Sequence, residues 1–128
     1  MASVYKIKCY LLLVMLLTLS GCATYRVSSN VDGGVSDSNQ VLLSDIKLYE
    51  SSLPEGSFMT VGPIDVSIKK LTIFNADPTK EQANQALREK ALLIGANAVI
   101  NIKYSSGVGF TTWGYMDAEG LGVKIKNK

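Results

Sequence analysis

The alternation of apolar and polar residues divides the second half of the chain into short strands around one helix. Alternating patterns predict strands over residues 45–49, 58–68, 98–104, 110–116 and 118–126. Apolar residues recur every three or four positions from Ala83 to Ile94, which predicts a helix with Asp77 as N-cap, Pro78 at its first position and Gly95 as its stop. The predicted fold is α+β: an antiparallel sheet of about five strands with the helix packed on one face.

Local signals add detail to this pattern. Gly62 and Pro63 predict a bulge or kink, because proline has no N–H for the ladder. The apolar run 71–74 extends the preceding strand or starts a short one, and residues 105–109 form a flexible turn. In the strand 98–104, Ile100, Ile102 and Tyr104 are expected on one face.

The first residues follow a different pattern, that of a secretory signal. Lys6 and Lys8 precede an apolar stretch from Cys9 to Leu19. This stretch is about eleven residues long, whereas a transmembrane helix needs roughly 20, so a secretory signal is favoured over an uncleaved membrane anchor or a buried helix. The residues Leu-Ser-Gly-Cys at positions 19–22 match the lipobox of bacterial lipoproteins.

The lipobox implies cleavage between Gly21 and Cys22 and attachment of diacylglycerol and further acyl chains to Cys22. Residues 1–21 are then the signal peptide, 22–40 the lipidated cysteine with a flexible tether, and 41–128 a single α+β domain. A tether of about 17 residues would span roughly 23 Å on average. Ala23, rather than an aspartate, follows the cysteine. In lipoproteins of Gram-negative bacteria this implies the outer membrane, with the domain facing the periplasm.

Removal of the signal changes the charge and the available ligands. It takes away two of the 13 basic residues and leaves 11 against 11 acidic residues, which argues against a nucleic-acid partner. Cys9 is lost with the signal and Cys22 carries lipid, so no disulfide is expected. Histidine is absent from the sequence. No soft metal site and no cofactor other than the covalent lipid are therefore expected.

Two segments resemble known families. The junction Gly-Ala-Asn-Ala-Val at positions 95–99, between helix and strand, resembles the YbjQ-type family of small domains to which heavy-metal binding is ascribed, and also the RcsF-type envelope lipoproteins. The segment 118–123 is similar to the YbjQ-type closing motif, with Leu121 and Gly122 replacing Thr and Ala. The resemblance covers residues 45–126 and implies the fold and a ring-shaped homo-oligomer. It implies no metal site, because the mature chain lacks thiol and imidazole ligands.

Two groups of side chains are candidates for binding. Thr111, Trp113 and Tyr115 share one face of a predicted strand and are a predicted partner or subunit contact, because exposed aromatic residues typically anchor interfaces. Alternatively, Trp113 covers a sheet edge or lies under the tether. Asp117 and Glu119 share a face if their segment is extended and would suit a hard cation or acid–base work; a solvated hairpin turn beside Gly120 is the simpler interpretation.

The sequence gives little support for catalysis, and no residue is assigned a catalytic role. It has no histidine to act as a base, no nucleophile elbow and no phosphate loop, so an enzyme is not expected. The expected function is that of a membrane-anchored, outer-membrane lipoprotein whose domain is an envelope binding, scaffold or sensor module. The alternative is a small-ligand or cation-binding domain that works as a homo-oligomeric ring.

Overall fold

The computed structural model of the chain describes residues 2–17, 24–35, 40–109 and 112–126. Its elements in chain order are α1 Ala2–Leu17, β1 Tyr25–Ser29, α2 Gln40–Ser44, β2 Lys47–Leu48, β3 Phe58–Lys70, α3 Lys80–Leu93, β4 Ala98–Gly109 and β5 Thr112–Ile125. The strands form one five-stranded sheet in the order β1-β3-β5-β4-β2, and α3 packs on one of its faces. The α+β class is as predicted.

The sheet is mixed, so the prediction of an antiparallel sheet is wrong at one edge. The pairs β1–β3, β3–β5 and β4–β5 are antiparallel, but β2 pairs with β4 in parallel, with Lys47 opposite Ala98 and Leu48 opposite Val99. Parallel neighbours need a crossover connection, and here β3 and α3 lie between them in the chain. Side-chain alternation indicates a strand but does not identify its neighbour, so the sequence could not reveal this pairing.

The prediction of a flexible tether over residues 22–40 is wrong for β1. All five residues of β1 pair with β3, from Tyr25 opposite Lys70 to Ser29 opposite Val66. The Tyr25 ring packs against the core, and its hydroxyl donates a hydrogen bond to the Ala76 carbonyl at 3.1 Å. The polar composition that suggested a tether suits an edge strand, whose side chains are mostly exposed. The sheet therefore begins at Tyr25 and not near residue 41.

Helix α3 begins two residues later than expected. Its N-cap is Thr79, whose hydroxyl accepts from the Gln82 N–H at 3.3 Å while the Gln82 side chain accepts from the Thr79 N–H at 2.8 Å. This capping box satisfies two N–H groups at once, and Asp77, the expected cap, forms an ion pair with Lys70 instead. Gly95 follows the helix with a φ of 79°, as predicted. The buried stripe of α3 consists of Ala83, Ala86, Leu87 and Ala91.

Two predicted turns are strand, and one predicted strand is a turn. Residues 105–109 continue β4, and β5 runs without interruption through residues 117–120, where a hairpin was the simpler expectation. Residues 71–75 form turns in place of the expected strand, with the Asn75 N–H donating to the Thr72 carbonyl at 3.3 Å. The two strands predicted within residues 110–126 are thus one strand. The sheet still has five strands because β1, which was not predicted, is the fifth.

A bulge at Asn101 divides the core between the two faces of the sheet. Asn101 has a φ of 54°, and the β4–β5 register shifts between Ile100 and Lys103. Val99 and Ile102 consequently both pack in the core under α3, whereas Ile100 lies with Ala98 in a second core. The expectation that Ile100, Ile102 and Tyr104 share a face is therefore wrong for Ile100. The predicted irregularity near Gly62 is confirmed as a register shift between Thr60 and Gly62.

The second core is covered by the segment that follows β2. Its buried residues Ala98, Ile100 and Val123 are packed by the partly buried side chains of Tyr49, Leu53, Phe58, Leu121 and Ile125. Backbone hydrogen bonds hold the cover on the bulge: the Asn101 N–H donates to the Ser51 carbonyl, and the Ile102 N–H donates to the Tyr49 carbonyl, both at 3.1 Å. Within the described residues, one end of the sheet is therefore covered on both faces and the other end on the α3 face alone.

Gly120 makes room for the bulge. A Cβ atom at this position would lie 2.6 Å from Cγ1 of Val99 and 3.2 Å from both the Ile100 carbonyl oxygen and Cγ1 of Ile102. Such contacts are too close for a packed core, and backbone is among the atoms that would have to move. The two side chains that the bulge brings together thus occupy the space that a side chain at position 120 would need.

We predict that Gly120→Ala destabilises the fold by about 1–3 kcal/mol, because it overpacks the core beside the bulge. The control is Gly62→Ala in neighbouring β3, since a Cβ there would have no atom within 4 Å. Urea unfolding of both variants gives the free energies. Equal stability of Gly120→Ala and the unmodified protein would contradict the packing described for Gly120.

Candidate functional site

The sheet carries a polar surface on the side away from α3, beyond the second core. We call this surface the open face. Its side chains alternate with core positions such as Val66 and Ile68, and they align across the strands as cross-strand neighbours. The open face consists of Arg26, Ser28, Asn30, Asp65, Ser67, Lys69, Lys103, Ser105, Tyr115, Asp117 and Glu119.

A trough of about 560 Å³ lies in the middle of the open face. One row of the sheet crosses it from Ser67 to Asp117 and Ser105, and the Ser67 hydroxyl donates to Oδ1 of Asp117 at 2.5 Å. The next row places Asp65 directly opposite Glu119, with Lys103 on the far side of Glu119. The trough thus offers carboxylates, hydroxyls and one ammonium group, a set suited to polar or peptide-like ligands.

Asn30 fixes the β1 side of the trough. Its side-chain oxygen accepts from the Asp65 N–H at 2.8 Å, and its side-chain amide donates to the Pro63 carbonyl at 2.9 Å. The backbone N–H of Asn30 also donates to the Asp65 carbonyl at 3.4 Å. These bonds continue the β1–β3 ladder one residue past its end and hold this wall of the trough in place.

The structure brings together the predicted pair of carboxylates. Asp117 and Glu119 lie two residues apart on an extended strand and therefore share the open face, so the interpretation as a hairpin turn is wrong. Within the described parts of the chain, no group of three or more His, Cys, Asp or Glu residues is arranged to hold a metal ion. The cation site remains a prediction that rests on this pair.

The predicted aromatic contact lies further along the same strand. Trp113 is 54 % exposed, and β5 is an interior strand, so Trp113 does not cover a sheet edge. Tyr115 is half-buried because its ring lies over Gly107, where a Cβ would be 3.1 Å from the Tyr115 hydroxyl. Thr111 lies outside the described residues. The contact of these residues with a partner or a second subunit remains a prediction.

Sequence reasoning missed the apolar surface next to Trp113. Among the large apolar side chains exposed at this end of the sheet are Phe74 at 91 % and Val108 at 74 %. We call this end the Trp113 end and define it by Leu71, Ile73, Phe74, Val108 and Trp113. The run 71–74 suggested a strand because of its apolar residues; the signal for a turn was Asn75 directly after the run, supported more weakly by Thr72 within it.

The N-terminal helix α1 is exposed along its described side chains, from Ser3 to Leu11. These include large apolar residues and the free thiol of Cys9. Within the described residues, no helix combines the length and the apolar character needed to cross a membrane. Gly21 and Cys22, the predicted cleavage and lipidation site, lie outside the described residues.

The face covered by α3 holds a polar cluster of its own. The Tyr104 hydroxyl donates to Oδ1 of Asn84 at 2.5 Å, and Nζ of Lys80 lies 4.2 Å from the centre of the Tyr104 ring. Burial raises the pKa of Tyr104, and the hydrogen bond to Glu50 raises the pKa of Lys80. The cluster ties α3 to β4 and to the segment after β2, which is a structural role.

Comparisons with known proteins give one weak likeness. No family model matches the chain, and no curated protein matches it. A crystal structure of a protein of unknown function from Pediococcus pentosaceus, which belongs to the DUF74 family, is similar at 13 % identity and a TM-score of 0.46. The match covers 63 % of this chain and 98 % of that one.

We predict that Asp65→Asn raises the free energy of unfolding by about 0.5 kcal/mol at low ionic strength. Like charges directly opposite each other destabilise an antiparallel pair, and the change removes one of the two. The control is Asp32→Asn, which neutralises an exposed carboxylate outside the sheet. Urea unfolding at low and high salt tests this, and the gain should shrink with salt. A loss of stability would mean that Asp65 and Glu119 are bridged by an attractive contact.

Proposed function

We propose that this protein is a bacterial envelope lipoprotein, anchored through lipid on Cys22 and exposing a non-enzymatic binding module. The observation that carries the proposal is the position of β1: the sheet begins at Tyr25, three residues after the predicted lipidation site. A signal that ends immediately before the first strand leaves a complete domain after cleavage. Removal of residues 1–21 takes nothing from the sheet or from α3.

Helix α1 supports the same interpretation. Its apolar side chains between Val4 and Leu11 are exposed, so the folded domain does not use them as core. A segment of this kind is costly in water but suits a signal that is cut off during export. Two or three acyl chains on Cys22 would then hold the domain stably at the bilayer, since each buried CH₂ contributes about 0.8 kcal/mol. The residue Ala23 favours the outer membrane, with the domain in the periplasm.

The open face is the surface that this module would use for binding. Its trough combines the Ser67–Asp117 hydrogen bond with the carboxylates of Asp65 and Glu119 and the ammonium group of Lys103. Such a mixture of donors and acceptors fits a polar segment of an envelope protein better than an apolar small molecule. The module would act as a scaffold or sensor that captures this partner near the membrane.

A homo-oligomeric ring that binds a small ligand or cation is the second candidate function. The observation in its favour is that β1 is an edge strand, so its outer backbone groups can pair with a strand of another copy. Val27 on this strand is 53 % exposed and would be covered in such a contact. In a ring, the carboxylates of neighbouring open faces would provide the cation ligands.

The two cysteines allow a matched test of the anchor. We expect Cys22→Ser to abolish incorporation of an acyl-chain label and release the protein from membranes, because it removes the acceptor thiol. Cys9→Ser changes the other cysteine and should leave both properties unchanged, since it lies in the part that is removed. The measurements are metabolic labelling with a fatty-acid analogue, membrane fractionation and the intact mass of the mature protein.

The mature protein should have the mass of residues 22–128 plus the acyl groups. A mature chain that keeps α1, or one that is cut elsewhere and carries no lipid, would contradict the proposal. The proposal would also be contradicted if Cys9→Ser lost the label and Cys22→Ser kept it, because the lipid would then be on Cys9.

A further inference from the structure

The start of β1 and several exposed apolar side chains lie at the same end of the sheet. The Thr24 carbonyl accepts a hydrogen bond from the Leu71 N–H at 3.3 Å, so the start of β1 lies beside the turn that carries Ile73 and Phe74. Each peptide step spans about 3.8 Å, so the Cα of Cys22 lies no farther than about 7.6 Å from that of Thr24. This short reach holds whatever path the chain takes between them.

The Trp113 end collects side chains from three separate segments. Leu71, Ile73 and Phe74 come from the turn after β3, Val108 from the end of β4 and Trp113 from the start of β5. The strand pairing places these segments at the same end of the sheet, because Gly109 pairs with Thr112 and Lys69 pairs with Tyr115. A single exposed large apolar side chain needs no explanation, but five at one end of the sheet do, and we refer to these five as the patch.

The chemistry of this patch fits the boundary between lipid and water. Tryptophan prefers the headgroup level of a bilayer, and phenylalanine, leucine and isoleucine prefer the acyl chains just below it. Arg26 and Lys69 face each other across β1 and β3 in the row next to the patch, where they suit anionic headgroups. Asp77 forms its ion pair with Lys70, the residue after Lys69 in β3.

We propose that the Trp113 end docks on the bilayer that holds the lipid anchor, with Phe74 and Trp113 inserted at headgroup depth. This inference rests on the proposed lipidation of Cys22. The anchor keeps the patch at the membrane surface, and the patch in turn fixes the orientation of the domain. Trp113 contacts lipid in this arrangement and not the protein partner or subunit expected from the sequence. The open face then points sideways along the membrane, free to bind.

The distances along β5 set the height of the trough. Asp117 and Glu119 lie four and six residues beyond Trp113, which corresponds to about 13 and 20 Å along an extended strand. A partner bound in the trough would therefore lie within the first few tens of ångströms of the bilayer. The opposite end of the sheet, with Met59 exposed at 56 %, would point away from the membrane.

Trp113 is the single tryptophan of the chain, so its fluorescence reports directly on the patch. The lipidated mature protein, verified by intact mass, is inserted into preformed vesicles of phosphatidylcholine and phosphatidylglycerol. Some of the lipids are brominated near the headgroup end of the acyl chains, and iodide in the water serves as the opposite quencher. We expect bromolipids to quench Trp113, its emission to shift to the blue and iodide to lose most of its access.

Phe74→Ser should lose most of the bromolipid quenching while the protein stays anchored, because the more exposed of the two inserting side chains is removed. The matched control is Met59→Ser, which removes another exposed large apolar side chain, at the opposite end of the sheet, and should leave the quenching unchanged. Both positions are exposed, so neither change disturbs the core. Circular dichroism confirms that both variants are folded.

The outcomes separate this inference from the proposed function. Anchored protein whose Trp113 is open to iodide and not quenched by bromolipids would overturn membrane docking and leave the lipid anchor standing. Protection from iodide without bromolipid quenching would assign Trp113 to a protein contact and overturn it as well. A protein without lipid on Cys22 would overturn both proposals, and that result comes from the mass measurement alone.

Discussion

The bulge at Asn101 is the constraint on which the two-faced structure depends. The bulge shifts the register of β4, so that Val99 and Ile102 pack under α3 while Ile100 lies on the opposite face. Gly120 leaves the space that the side chains of Val99 and Ile102 occupy. In a regular strand Ile100 and Ile102 would lie on the same face, and one of the two cores would lose a buried isoleucine. The bulge also anchors the segment that covers the second core.

This arrangement separates the domain into a closed end and an open end. Beside the bulge both faces of the sheet are covered, so the apolar side chains at that end are buried on both sides and stabilise the fold. Beyond it, α3 covers one face of the sheet, and the other face carries Ser67, Asp117 and their polar neighbours. The open end is also the end at which the chain leaves towards Cys22. The proposed anchor site, the exposed apolar residues and the polar trough therefore lie at this open end of the sheet.

The sequence predicted the parts of the fold that depend on local patterns. The apolar stripe of α3 and the positive φ of Gly95 could be predicted, because each is a local consequence of spacing or residue type. Three other features depend on partners far along the chain and could not be predicted. They are the parallel pairing of β2, the place of β1 in the sheet and the bulge at Asn101. β1 is an edge strand and needs few apolar side chains. Its polar sequence was therefore interpreted as a tether. For the site, the shared face of Asp117 and Glu119 could be predicted, whereas the patch around Phe74 required the turn that joins β3 to α3.

If Cys22 carries the proposed lipid, the sheet begins three residues after the anchor, and the domain lies directly on the membrane and not at the end of a tether. Neutron reflectometry of the lipidated protein on a supported bilayer measures this most directly. The account predicts protein density that starts in the headgroup region, with no intervening layer of water. A water layer of roughly 23 Å between headgroups and protein, the mean span of a free tether, would contradict it.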